Sequence, residues 1–159
     1  MELDQILPRI FLGSCPVEPG DIDRLKELGI TAVLNLQTEE DFLFWGIDWP
    51  LLESAYQQAG IQVVRIPVQD FSPEDLRQKL PACVLALEKL LQGGHTVFVH
   101  CSAGVNRSPS TVVAYLHWHQ NMPLQAALEY VKERRCCDPY EQSIRLATQE
   151  QRLQPPRDR

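Results

Sequence analysis

Four short apolar segments, separated by stretches with helical spacing, are the feature that most restricts how this chain can fold. They cover residues 10–12, 31–36, 61–68 and 96–99. Their β-branched and apolar residues predict strands, and residues 96–99 are apolar enough to lie in the centre of a sheet. Because strands that alternate with helices form parallel sheets, we expect an α/β domain. Its mostly parallel central sheet would have about four or five strands, flanked by helices.

Helical spacing of apolar residues, with glycine or proline near the ends, predicts the remaining elements. The predicted helices cover residues 22–28, 51–59, 80–91, 108–119, 124–131 and 140–147. Pro81 either falls in the first turn of the third helix or kinks it. Residues 37–50 are acidic and aromatic, which predicts a loop with one helical turn. The length predicts a single domain over residues 1–151, and we expect residues 152–159 to form a disordered tail.

Charge and cysteine content exclude several classes of function. The 159 residues carry 15 Lys and Arg against 21 Asp and Glu, a net charge of −6. We therefore expect no nucleic-acid or membrane partner, since both need a basic surface. Five cysteines cannot all pair within one chain, and without a C-x-x-C pair we expect no metal and no cofactor. Residues 1–5 lack the basic start of a signal peptide, so we expect a reducing, cytoplasmic setting.

The segment His100-Cys-Ser-Ala-Gly-Val-Asn-Arg-Ser108 has the composition of an anion site. Cys101 follows the predicted central strand, where backbone N–H groups and a helix N-terminus would stabilise its thiolate. Gly104 lets the loop curl around an anion, and the planar fork of Arg107 matches two phosphate oxygens. The alternative is a core cysteine followed by a chance arginine, but the length of the matching string argues against it. The expected phosphate-binding residues are Ser102, Ala103, Gly104, Val105, Asn106 and Arg107.

This string resembles the signature of the protein tyrosine phosphatases, and the short chain resembles their dual-specificity branch. The resemblance implies a metal-independent phosphomonoester hydrolase, expected to be a monomer, in which Cys101 forms a phosphocysteine intermediate. It implies that Arg107 binds the phosphate and that Ser108 eases departure of the thiolate. His100 would tune the cysteine from behind the loop rather than act as a base.

Cleavage of a phosphate ester also needs an acid to protonate the leaving oxygen. Asp70 lies 31 positions before Cys101, directly after a predicted strand, and residues 69–73 resemble the general-acid loop of the family. We therefore predict that Asp70 is the acid. The alternatives are that Asp70 only caps a turn, or that Asp75 takes the role, although Asp75 fits better as a first-turn charge on the next helix.

The other reactive residues fit structural roles better. His117 and His119 are two positions apart on a predicted helix and form a poor metal pair. Cys136 or Cys137 could protect an oxidised Cys101 through a disulfide, although ordinary packing is the simpler interpretation.

Within the dual-specificity branch, the chain is similar in texture to the catalytic domains of laforin-like and plant glucan phosphatases. The similarity covers residues 12–15, 36–37, 70–71 and 132–148. Three departures are Glu74 and Asp138, where those enzymes have aromatic residues, and Asn106, where they have glycine.

These departures make a phosphotyrosine protein the first expected substrate, extending to phosphoserine and phosphothreonine if the pocket is shallow. A phosphorylated glucan, with Phe44 and Trp45 as a partial platform, is the alternative. Phosphoinositides rank third, because the loop lacks lysines. A phosphate-binding module without turnover is the hypothesis from a different class, but the presence of the cysteine, the arginine and the acid favours an enzyme.

Overall fold

The computed structural model describes residues 1–153, which form five strands and seven helices. In chain order they are β1 Leu3–Leu7, β2 Ile10–Gly13, α1 Pro19–Glu27, β3 Ala32–Asn35, α2 Glu39–Trp45, α3 Trp49–Ala59, β4 Gln62–Arg65, α4 Pro73–Gln92, β5 Val97–His100, α5 Arg107–His119, α6 Leu124–Arg134 and α7 Glu141–Leu153.

The strands form one sheet in the order β1-β2-β5-β3-β4. β1 pairs with β2 in antiparallel fashion, whereas the other three pairings are parallel. The predicted α/β class with a mostly parallel sheet is therefore confirmed, and the predicted central strand is β5. Within residues 1–153, no helix is both long and apolar enough to cross a membrane.

Both faces of the sheet are covered, because successive side chains on a strand point to opposite faces. One face packs against α1 and α3 and the other against α4, α5, α6 and α7. On the face toward α1 and α3, three strand residues in register are Phe11, Val33 and Phe98. On the opposite face they are Leu12, Leu34 and Val99. All six are buried, which explains why the sequences of these strands are continuously apolar and do not alternate between apolar and polar residues.

The structure differs from the sequence prediction in four places. β1 is absent from the prediction. It is a short edge strand whose side chains are mostly half-exposed, so it has no continuous apolar run. The segment predicted as a loop with one helical turn contains all of α2 and the start of α3. α2 begins with a capping box, in which the side chains of Thr38 and Asp41 each accept a hydrogen bond from the other residue's backbone N–H. The spacing of apolar residues does not reveal such a helix start.

The third difference concerns α4, which starts at Pro73 and continues through Pro81 to Gln92. The Ser72 hydroxyl accepts a hydrogen bond from the backbone N–H of Asp75 at 3.1 Å, which caps the helix start. Burial of one whole face of α4 stabilises the helix on both sides of Pro81. At the C-terminus, Arg152 and Leu153 belong to α7 rather than to the predicted tail, and residues 154–159 lie outside the described residues.

Candidate active site

Cys101 lies at the carboxyl end of β5, in the middle of the sheet, where ligands of open α/β folds bind. Its side chain is buried, and its Sγ lies 3.2 Å from the Ser108 Oγ. A hydroxyl at this distance can donate a hydrogen bond to a thiolate and stabilise its charge. The structure therefore brings the predicted nucleophile Cys101 into contact with Ser108, the hydroxyl predicted to ease departure of the thiolate.

Residues 101–107, named the phosphate cradle below, form a tight loop between β5 and α5. Gly104 has φ +69°, in the left-handed region, and a Cβ there would stand 2.4 Å from the Gly13 carbonyl oxygen and 2.7 Å from Nη2 of Arg135. Only glycine fits this position without a shift of the backbone. Within the described residues, no side chain caps the N-terminus of α5, so its first N–H groups remain free to face an anion.

Arg107, the first residue of α5, is 1% exposed and is held by three groups from other segments. Its Nη1 donates to the Asp41 Oδ2 at 2.7 Å and to the Val68 carbonyl at 2.8 Å, and its Nη2 donates to the Asp41 Oδ1 at 3.3 Å. The Asp70 Oδ2 lies 3.2 Å from the same Nη2. Nε of Arg107 is buried without a partner in residues 1–153 and is the donor left over for a ligand.

The loop after β4 carries the predicted acid. The side chain of Asp70 is 30% exposed, and its Oδ1 accepts the N–H of Phe71 at 3.0 Å. Phe71 has φ 56°, a strained value for a residue with a side chain, and is 82% exposed. Asp75 instead accepts the N–H of Gln69 at 2.7 Å and pairs with Lys79 at 3.0 Å, so it braces the base of the loop. Of the two candidate carboxylates, Asp70 is the one in contact with Arg107.

His100 is buried behind the cradle, where its Nδ1 donates to the carbonyl of Cys101 at 2.8 Å and its ring stacks on Phe98. Burial, with a further contribution from the charge of Arg107, lowers the pKa of His100 to about 4. The imidazole is therefore neutral near pH 7. This arrangement suits a residue that shapes the loop and does not suit a base.

Asp41 is a site residue that sequence reasoning missed. Burial alone would raise its pKa, but hydrogen bonds from Arg107 and Thr38 outweigh burial and hold the pKa of Asp41 below its usual value. The carboxylate is therefore charged at neutral pH and forms a bidentate pair with Arg107. The only signal in the sequence is the Thr38-x-x-Asp41 capping pattern, which locates a helix start but gives no partner.

Tyr140 is a second residue that sequence reasoning did not assign to the site. Its backbone N–H donates to the Ser110 Oγ at 2.8 Å, which attaches it to the first turn of α5. Partial burial, followed by the charge of Asp70, raises the pKa of Tyr140. The contact with Ser110 places the backbone of Tyr140 beside the first turn of α5, next to the cradle.

The other histidines and cysteines considered in the sequence make contacts typical of structural residues. His117 is hydrogen-bonded to the carbonyl of Met122 at 2.7 Å, and His119 stacks on Tyr115. Residues 1–153 hold no cluster of His, Cys, Asp or Glu suited to a metal ion. All five cysteines in that part of the chain are free; Cys136 is exposed and Cys137 packs against the core.

Comparison with known proteins gives one consistent result. The sequence model described as "Dual specificity phosphatase, catalytic domain" matches residues 10–145. The chloroplastic phosphoglucan phosphatase LSF1 of Arabidopsis thaliana is 39% identical over 148 residues, which are 93% of this chain and 25% of that protein. Laforin of Mus musculus is 41% identical over 129 residues, which are 74% of this chain and 39% of laforin. This chain thus spans well under half the length of either relative.

Among solved structures, the human tyrosine phosphatase-like serine/threonine/tyrosine-interacting protein has a TM-score of 0.77 with this chain. The two are 25% identical, and the match covers 95% of this chain and 96% of that one. The sheet and helices described above are therefore those of a phosphatase-type domain over almost their whole extent.

Proposed function

Because this chain belongs to the family of dual-specificity phosphatase catalytic domains, we propose that it hydrolyses phosphate monoesters of a glucan through a phosphocysteine intermediate. The proposal has two parts, the chemistry of the cradle and the identity of the substrate.

In the first step, the Cys101 thiolate attacks phosphorus, and the bond between phosphorus and the leaving oxygen breaks. Asp70 in its acid form gives its proton to that oxygen, so that the glucan leaves as an alcohol. The cradle N–H groups and Arg107 neutralise the charge on the equatorial oxygens. The contact between Asp70 and Arg107 supports this assignment, because it holds the carboxyl group next to the phosphate site.

In the second step, water attacks the phosphocysteine, and the sulfur–phosphorus bond breaks to release inorganic phosphate. Asp70, now a carboxylate, takes the proton from the water. The sulfur leaves as a thiolate, which the Ser108 hydroxyl stabilises from 3.2 Å. The proposed steps use no metal ion, because Arg107 and the backbone dipoles supply the positive charge.

One observation carries the choice of a glucan: an exposed aromatic residue accompanies each carboxylate that holds Arg107. Phe44 is 83% exposed and forms an edge-to-face pair with the half-exposed Trp45. Both lie three and four residues after Asp41 on α2, within one helical turn of it. Phe71, directly after Asp70, is almost fully exposed. Exposed apolar patches mark binding sites, and the C–H face of a glucose ring stacks well on such rings.

The glucan replaces the phosphotyrosine protein that the sequence analysis ranked first. That expectation rests on Glu74 and Asp138, which stand where glucan phosphatases have aromatic residues, and on Asn106, which stands where they have glycine. The relatives named phosphoglucan phosphatase and laforin favour the glucan, and Phe44, Trp45 and Phe71 offer aromatic surface at other positions. A monomeric state and a cytoplasmic location stay predictions.

The test compares initial rates of one preparation on phosphorylated amylopectin, a phosphotyrosine peptide, a phosphoserine peptide and a small aryl phosphate. We expect the glucan rate to exceed both peptide rates. The double substitution of Phe44→Ala and Trp45→Ala should reduce the glucan rate by about tenfold and leave the aryl phosphate rate unchanged, since two stacking contacts are lost. Leu28→Ala, which removes an apolar side chain as exposed as Trp45 at the end of α1, is the control.

A phosphotyrosine peptide rate well above the glucan rate would restore the first expectation. Equal loss of the glucan and aryl phosphate rates in the double variant would show that the aromatic pair supports the fold rather than the substrate.

A further inference from the structure

The carbonyl oxygens of residues 101–105 in the phosphate cradle are all hydrogen-bonded to groups behind the loop. The first two are bound by His100 and by the backbone of Cys15: the His100 Nδ1 donates to the Cys101 oxygen at 2.8 Å, and the Cys15 N–H donates to the Ser102 oxygen at 2.9 Å. The other three are bound by the segment that follows α6, residues 135–138.

Arg135 supplies two of these hydrogen bonds. Its Nη2 donates to the Ala103 carbonyl at 3.0 Å, and its Nε donates to the Gly104 carbonyl at 2.9 Å. Its Nη1 donates to the Asp4 Oδ2 at 2.9 Å. The guanidinium is buried, and all three of its nitrogens have partners on β1 or on the cradle. A single side chain therefore connects the edge strand to two consecutive peptide units of the loop.

The direction in which the carbonyls of Ala103 and Gly104 point also fixes the direction of the N–H groups that follow them in the same peptide units. In a trans peptide unit the C=O and the N–H point opposite ways, and this chain has no cis peptide within residues 1–153. Holding the carbonyls of Ala103 and Gly104 toward Arg135 therefore turns the N–H groups of Gly104 and Val105 away from Arg135, into the loop. If either unit flipped, a carbonyl oxygen would face the phosphate and repel it.

Gly104 is the position at which such a flip is easiest, because a glycine adopts positive and negative φ about equally well. The cradle thus needs an external restraint at this residue. On the next unit, the N–H of Asp138 donates to the Val105 carbonyl at 2.8 Å, and the Asn106 side chain donates to the Asp138 carbonyl at 2.7 Å. The restraint on Gly104 itself comes from the arginine.

We propose that Arg135 is a positioning residue for the phosphate cradle: it holds two peptide units so that the N–H groups of Gly104 and Val105 face the phosphate. Asp4 is its anchor, because the carboxylate fixes Nη1 and leaves Nε and Nη2 directed at the loop. The inference rests on the phosphate-binding part of the proposed function and is independent of the glucan. It assigns a role in binding to an arginine that does not itself touch the phosphate.

The test measures the Kd of inorganic phosphate from the amide NMR shifts of the cradle, together with kcat and KM on a small aryl phosphate. Arg135→Lys keeps the charge but lacks the planar fork that donates to both carbonyls and to Asp4 at once. We expect it to raise the Kd for phosphate by about tenfold, because losing one hydrogen bond from a charged group weakens binding by about that much. The Gly104 and Val105 amide shifts should no longer respond as a pair when phosphate is added.

Arg134→Lys is the matched control, because Arg134 is the neighbouring residue but lies over the Tyr130 ring and is half-exposed. We expect it to keep the wild-type Kd. Asp4→Asn is the second variant, which leaves the guanidinium in place and loosens only its anchor. We expect a rise in Kd of about threefold, and this variant decides the matter if Arg135→Lys does not fold.

A wild-type Kd in folded Arg135→Lys, or in Asp4→Asn if the first variant is unfolded, would overturn the positioning role. An equal loss of affinity in Arg134→Lys would also overturn it, since the effect would then follow charge or helix stability. Wild-type protein that binds phosphate without turnover would contradict the proposed function alone. Wild-type protein that binds no phosphate would contradict both.

Discussion

Arg107 and Asp41, 66 positions apart in the chain, form a buried bidentate ion pair through contacts of 2.7 and 3.3 Å. Asp41 has two further hydrogen bonds, from the backbone N–H and the hydroxyl of Thr38. The pair holds the guanidinium at the start of α5 and leaves its Nε without a protein partner within the described chain. The aspartate therefore sets the orientation of the arginine at the proposed phosphate site.

Replacing Asp41 should impair both stability and catalysis. In Asp41→Asn a buried arginine loses its charged partner, so we expect the free energy of unfolding to fall by about 3 kcal/mol. The kcat/KM on a small aryl phosphate should fall at least about tenfold, because the guanidinium is no longer held in place. Chemical denaturation and steady-state kinetics measure the two effects. Glu39→Gln removes an exposed carboxylate from the same helix and should change neither value substantially.

Replacing the proposed nucleophile should separate binding from turnover. Cys101→Ser removes the thiolate but keeps the cradle, so hydrolysis of a small aryl phosphate should be abolished while inorganic phosphate still binds. Rapid-quench trapping of phosphorylated wild-type enzyme and calorimetric titration of the variant measure the two parts. Cys83→Ser is the control at a cysteine of α4 outside the cradle, where burial raises the pKa to about 12 and keeps the thiol uncharged. Undiminished turnover in Cys101→Ser would refute the mechanism.

Replacing the proposed acid should affect poor leaving groups most. Asp70→Asn cannot protonate the leaving oxygen, so kcat/KM should fall steeply for alkyl phosphates and little for aryl phosphates with an acidic phenol. A series of aryl and alkyl phosphates of graded leaving-group acidity measures the slope. A uniform loss across the series would mean that Asp70 serves only to hold Arg107 at 3.2 Å.

The buried His100 should make stability depend on pH. Its pKa of about 4 lies below the value near 6.5 of an unfolded histidine, so the unfolded chain binds more protons between these two pH values. Stability from this group is therefore complete above pH 6.5 and declines as pH falls toward 4, by about 3 kcal/mol. Denaturation at stepped pH measures it. His100→Asn should flatten the decline in this window, whereas His119→Gln should leave it in place.

Gly104 should resist even the smallest side chain. In Gly104→Ala the new Cβ would meet the Gly13 carbonyl and the Arg135 guanidinium, which would displace the cradle. We expect phosphate affinity to fall at least about tenfold, in line with an overpacked site. Gly46→Ala is a close control, since Gly46 has φ +65° but has nothing within 4 Å of its Cβ position. It should lose only the roughly 1 kcal/mol of left-handed strain and keep its phosphate affinity.

The parts of the fold that could be predicted are those whose evidence is local. The strands of the central sheet show as apolar runs because both faces of the sheet are buried. The second half of α4 shows in the apolar spacing from residue 80, whereas its start at Pro73 does not. β1 and α2 could not be predicted in the same way. β1 is a half-exposed edge strand, and α2 exposes Leu43 and Phe44 where a helical apolar stripe would be buried.

The residues of the candidate site also fall into those with local evidence in the sequence and those without it. Residues 100–108 are contiguous, so the amino-acid sequence alone groups the proposed nucleophile, the arginine and the serine as one unit, and chain order puts the proposed acid Asp70 in the loop after β4. Asp41, Arg135 and Asp4 became visible only in the folded molecule. Their contacts join positions 66, 31 and 131 residues apart, and a hydrogen bond between distant segments leaves no spacing or periodicity in the chain. Residues 100–108 therefore predict a phosphate site from their local order, whereas the packing of remote segments decides how the side chains of that site are oriented.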